Sequence, residues 1–103
     1  MRGMNDLVRQ AQMMHKKMGQ LQEDLSGRTV EAQSGGGMVS VVATCAGDVT
    51  SVKIDKSVVD PEDVEMLQDL VLAAVGEALK QARELREAEM SKLTGGLKLP
   101  GII

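Results

Sequence analysis

The sequence predicts an α+β domain with the order α-β-β-β-α, in which two long helices flank a three-stranded antiparallel meander. Three observations carry this prediction. Apolar residues in the first 27 positions recur at alternating intervals of 3 and 4. From Arg28 to Asp55 the period shortens to 2, and beyond Asp60 a helical period returns and runs until Gly95-Gly96. A length of 103 residues suits one compact domain, set at residues 1–96, followed by a flexible C-terminal tail at 97–103.

The first helix is placed at about residues 5–26. Met4, Leu7, Ala11, Met14, Met18, Leu21 and Leu25 form a heptad seam, the spacing of a helix-packing face. Asn5 is the expected cap, because its short amide accepts free N–H groups of the first turn. Gly27 is the expected stop, since glycine enters the left-handed conformation at low cost. Gly19, inside the helix, weakens it by about 1 kcal/mol relative to Ala.

Three β-rich runs follow. Thr29 to Gln33 alternates, Met38 to Cys45 is nearly continuous, and Val49 to Ile54 alternates again. The runs are separated by Gly35-Gly36-Gly37 and by Ala46-Gly47-Asp48, both short enough for antiparallel turns. In the last run Val52 and Ile54 share one face, while Ser51 and Lys53 point the other way. Cys45 alternates with Ala43 and Val41 and reads as a small buried hydrophobe.

The second helix opens on Asp60-Pro61-Glu62-Asp63. Asp60 is the expected cap, Pro61 suits the first helical position, and the acids lie at the positive end of the helix dipole. Val64, Leu67, Val71, Ala74, Ala78, Ala82 and Leu85 form its stripe, widened by Leu70, Val75 and Leu79, and Gly95-Gly96 ends it. At 1.5 Å per residue the two helices run about 33 and 45 Å. Strands of this length reach only about 20–27 Å, so both helices overhang the sheet and form a projecting arm. Two open sheet edges and a heptad seam are incomplete in one chain, and the expected assembly is a two-armed homodimer.

Composition narrows the function. The sequence has eight Met and no Phe, Tyr or Trp. Base stacking on aromatic side chains and aromatic cages are thereby excluded. One Cys allows no internal disulfide, and one His builds no zinc site unaided, so no metal and no cofactor are expected. No run approaches the roughly 18 apolar residues of a membrane span, so no membrane partner is expected. Gly35-Gly36-Gly37 lacks the Lys-Ser/Thr of a phosphate loop and reads as a hairpin turn. Asp60, Glu62, Asp63 and Glu65 lack calcium-loop spacing. No nucleophile is spaced with a base, so the chain reads as neither an enzyme nor a binder of small-molecule substrates.

Net charge is −3, but its distribution is uneven. Residues 1–18 carry +3, 19–59 carry −2, 60–79 carry −6 and 80–103 carry +2. In an antiparallel arm the two positive segments would lie together at the outer end, where a polyanion meets them first. The candidate polyanion-binding residues are Arg9, Lys16 and Lys17 of the first helix, with Lys80, Arg83, Arg86 and Lys92 of the second. Lys80 with Glu84 and Arg83 with Glu87 also have i,i+4 spacing, which pairs charges on ordinary solvated helices.

The sequence resembles the YbaB/EbfC family of nucleoid-associated proteins over roughly residues 5–100. The resemblance rests on Leu7-Val8-Arg9-Gln10-Ala11-Gln12-Met13-Met14, Lys17-Met18 and Leu21-Gln22. It continues through Ser34-Gly35-Gly36-Gly37-Met38-Val39, Val52-Lys53-Ile54-Asp55, the run from Asp63 to Ala74, and Leu99-Pro100-Gly101. It implies a homodimer with tweezer-like arms that binds double-stranded DNA in the bacterial nucleoid, in the cytoplasm, with effects on gene expression. The competing reading is a protein-interaction module that grips a partner helix with its arms or its Met-rich seam.

Overall fold

A computed structural model describes residues 2–95, so the tail at 97–103 lies outside the described residues. The order is α1 (Arg2–Gly27), β1 (Thr29–Ser34), β2 (Val39–Thr44), β3 (Val49–Ile54) and α2 (Val64–Leu93). The strands form one antiparallel sheet in the order β1-β2-β3, the expected meander.

Each hairpin is closed by glycine in the left-handed region. Gly35, Gly36 and Gly37 have φ of 60°, 66° and 94° between β1 and β2, and Gly47 has φ of 107° between β2 and β3. These are angles that a Cβ opposes. Space adds a second constraint at Gly35, where a Cβ would stand 2.9 Å from a methyl carbon of Leu70. The Ser34 hydroxyl donates to the Leu70 carbonyl at 2.6 Å, tying the first hairpin to α2.

The register determines which side chains share a face. Val39 pairs with Ile54, Val41 with Val52 and Ala43 with Val49, while Ala32 pairs with Val41. The helix-side face therefore holds Ala32, Val39, Val41, Ala43, Val49, Val52 and Ile54. Helix α2 lies across the β1–β2 part of it, and Ala74 and Ala78 meet Ala32, Val39, Val41 and Ala43 in the core. Alanines at this seam let the helix axis approach the sheet closely. Beyond β2 the cover stops: Val49, Val52 and Ile54 stay 41%, 45% and 40% exposed.

Three element ends differ from expectation, each for a local reason. Helix α1 already includes Arg2, so Asn5 lies within the helix and does not cap it. Gly27 does not take a positive φ. Instead α1 hands over directly to β1, because the Arg28 carbonyl accepts from Cys45 N–H at 2.8 Å and draws the chain into the sheet. Helix α2 starts at Val64, with Asp63 as its cap accepting from Met66 N–H at 3.2 Å. Asp60 serves the preceding turn, where its side chain accepts from Glu62 N–H at 2.9 Å. At the other end the break falls at Gly95, with φ of 66°.

Cys45 is fully buried, one residue past the end of β2. Its thiol should react slowly with a water-soluble maleimide in the native protein and quickly in denaturant. Equal rates in the two states would show that the strand end opens freely.

Candidate nucleic-acid interface

Both helices overhang the sheet, but unequally. The molecule measures 73 × 25 × 17 Å, and most of its length beyond the sheet is α1. Helix α2 spends its stretch from Leu67 to Leu79 on the strands. Only its last turns reach α1, and they meet only its base. There Leu25 is buried and Leu21 half-buried, whereas every residue from Gly3 to Lys17 is exposed.

Polar contacts hold that base. Arg86 lies half-buried and donates through Nη1 to the Cys45 carbonyl at 2.8 Å, passing close to Gly47. Arg28 reaches Glu89 at 3.4 Å and Asp24 at 3.7 Å, and Lys92 reaches Glu89 at 3.3 Å. The hydrogen bond from Lys92, with Arg28 adding to it, holds the Glu89 carboxyl below its ordinary range against an opposing desolvation. A depressed carboxyl favours this contact above its ordinary titration range and releases it as pH falls through the lowered value.

The seven candidate residues fall into separate groups. Arg9 and Lys16 are seven positions apart and share one face of α1, about 10.5 Å apart along the axis. At about 100° per residue that face points roughly 180° from the seam of Met4, Leu7, Ala11, Met14 and Met18, and Lys17 stands on its flank. All three are exposed, and no carboxylate pairs with them among the described residues. Lys80 and Arg83 are exposed on α2. Their i,i+4 partners Glu84 and Glu87 form no ion pair with them among the described residues. Arg86 and Lys92 are engaged at the arm base.

The picture of two positive segments side by side at the outer end is therefore corrected. From Arg28, Arg9 lies about 28 Å up α1, whereas from its partner Glu89 the Lys92 position is only about 4.5 Å further along α2. Covering the sheet consumes the length that α2 would need to reach the tip. Sequence reasoning also missed Arg28 and Glu89. The Glu89–Lys92 spacing of three was readable, but Arg28 lies 61 positions from Glu89 and carried no local signal.

A cleft of about 380 Å³ on the sheet's outer side is lined by Glu31, Gln33, Ser40, Lys53 and Asp55 among others. It is open and mixed in charge. Among the described residues no group of three or more His, Cys, Asp or Glu is arranged to hold a metal ion, and no helix is long and apolar enough to cross a membrane.

Among the described residues the molecule is thus an α+β body carrying a long helix with exposed bases on its back and an open cleft on its sheet. Comparison with known proteins makes the assignment specific. The family model described as the YbaB/EbfC DNA-binding family matches residues 1–97, and the chain belongs to that family. A nucleoid-associated protein of Acetivibrio thermocellus is 57% identical over 99 residues, covering 95% of this chain and 88% of its own. One from Ruminiclostridium cellulolyticum is 53% identical over 100 residues, covering 96% and 87%. Among solved structures, an uncharacterised protein of Helicobacter pylori, HP0035, superposes with a TM-score of 0.78 at 30% identity, covering 85% of this chain and 92% of that one.

Proposed function

We propose that this protein is a nucleoid-associated, homodimeric DNA-binding protein of architectural or regulatory type, working in the cytoplasm and without catalytic activity. It holds duplex DNA mainly through phosphate contacts. The observation that carries this reading is the outer half of α1, where Arg9, Lys16 and Lys17 are exposed and, among the described residues, pair with no carboxylate. Lys80 and Arg83 offer a second, separate set on the body, with Arg86 and Lys92 beside the arm base. Family membership supports DNA as the polyanion.

Phosphate contacts carry no sequence information, so binding should be nearly indifferent to sequence and steeply dependent on salt. Titrating two unrelated duplexes at about 50 and 200 mM salt tests this, because each phosphate contact adds about 0.9 to the slope of log affinity against log salt. Absence of binding at the lower salt would turn the reading toward a protein partner.

Two features support the homodimer: both sheet edges are unpaired among the described residues, and Val49, Val52 and Ile54 are 41%, 45% and 40% exposed. Sedimentation equilibrium at low micromolar concentration should give about 22 kDa, twice the 11.0 kDa chain. Val52→Lys, which places a charge in that row, should shift the mass toward one chain. A wild-type protein of one-chain mass would sink the dimer.

A further inference from the structure

The two helices carry apolar stripes of different width, and the difference identifies what each stripe is built to meet. On α2 the stripe is broad, with Leu67, Leu70, Val71, Ala74, Val75, Ala78 and Leu79 all facing the core, and it covers a sheet. On α1 the stripe has only two positions per heptad, the narrow seam of helix-on-helix packing. Its lower end already packs that way, since Leu21 and Leu25 lie where α1 meets α2. The same seam then runs on uncovered through Met14, Ala11, Leu7 and Met4, with Leu7 64% and Met4 63% exposed.

We propose that this open seam is a self-association surface whose occupant is α1 of a second copy of the chain. The partner must supply a matching narrow seam, and α2 has none to spare. Its outward residues include Glu77, Lys80, Arg83, Glu84 and Glu87, and its exposed large apolar residues, Val64, Met66 and Leu72, point in three different directions and form no seam. Helix α1 matches itself. Its seam is uncharged, and the flanking positions Val8, Gln10, His15 and Lys17 bring no acid and one base to the contact. Length gives a further reason, because a helical stretch of about 15 residues without tertiary contacts is marginal in water and gains order from a packed face.

Seam pairing leaves the DNA-binding face free. Arg9 and Lys16 stand on the back of the helix, so two paired arms present basic stripes pointing away from each other. One pair then touches two duplexes at once. This goes beyond the sheet-mediated dimer and does not require it, since the seam and the β3 row are different surfaces.

The test is sedimentation equilibrium of the full chain from about 1 to about 200 µM, a range in which a short helix contact becomes populated. Wild type is compared with Leu7→Glu/Met14→Glu, and with Met13→Glu, which adds one charge of the same sign off the seam. Wild type and Met13→Glu should rise at the top of the range to about twice the mass of the double variant. If the double variant loses helix content, Leu7→Ala/Met14→Ala keeps the helix and must show the same loss of association. Identical masses for wild type and both seam variants would overturn the inference. So would a Val52→Lys protein that loses the same association step, because α1 would then be seated on β3. A Val52→Lys protein that is half the wild-type mass yet still associates through the seam supports it.

Discussion

Replacing Arg9 and Lys16 together with Glu is expected to weaken duplex binding by about a hundredfold, on the scale of two charged hydrogen bonds lost. The factor should be similar for every duplex tested, because phosphate contacts position a protein and do not read bases. The slope of log affinity against log salt should fall by about 1.8 for the two contacts. The structure makes this a test of function rather than of folding. Both side chains lie on a helix stretch that is exposed throughout from Gly3 to Lys17, so circular dichroism and melting should be nearly unchanged. Lys53→Glu/Lys56→Glu is the matched control, with the same change of charge near the sheet, and should cost much less. An equal loss from the two double variants would mean that net charge, and not the arm, governs binding.

The second large effect concerns the body. Ala78 is fully buried where α2 crosses the sheet, facing Ala32, Val39, Val41 and Ala43. Ala78→Leu forces a branched side chain into a gap sized for a methyl group. The helix must then lift or the side chain must leave its rotamer, at about 2–3 kcal/mol. For a domain of this size that corresponds to a melting point lower by about 10–20 °C. Ala88→Leu, on an exposed position of the same helix, should change stability by less than about 0.5 kcal/mol. If the two leucines were equally harmless, the close approach of α2 to the sheet would be wrong. Lifting α2 also draws Arg86 from the Cys45 carbonyl and Glu89 from Arg28, so the buried thiol should become reactive in Ala78→Leu.

Much of this molecule is legible along the chain. The seam of α1, the two glycine turns, the three strands and the broad stripe of α2 are all where periodicity places them. Burial of Cys45 was readable from its alternation with Val41 and Ala43. The errors sit at element ends, where several groups compete for one role. Asp60 and Asp63 are both competent caps, and the choice between them depends on which turn the chain needs before reaching the sheet. Gly27 could have terminated α1 in a left-handed turn, but the hydrogen bond between the Arg28 carbonyl and Cys45 takes the chain out by another route.

The candidate interface divides in the same way. That Arg9 and Lys16 share a face opposite the seam follows from their spacing alone, as a helix repeats its faces every seven residues. That Arg86 is tied to a turn carbonyl, and that Glu89 gathers Arg28 and Lys92, follows from contacts between residues 41 and 61 positions apart. By itself the sequence determined the elements, their order and the two faces of α1, because those properties arise from hydrogen bonds and side-chain directions within a few residues. Only the tertiary structure decided how far α2 travels across the sheet, and hence that α1 carries the arm almost alone, with β3 uncovered. Those outcomes depend on which apolar surfaces meet when distant segments close on one another, and a local period does not encode that choice.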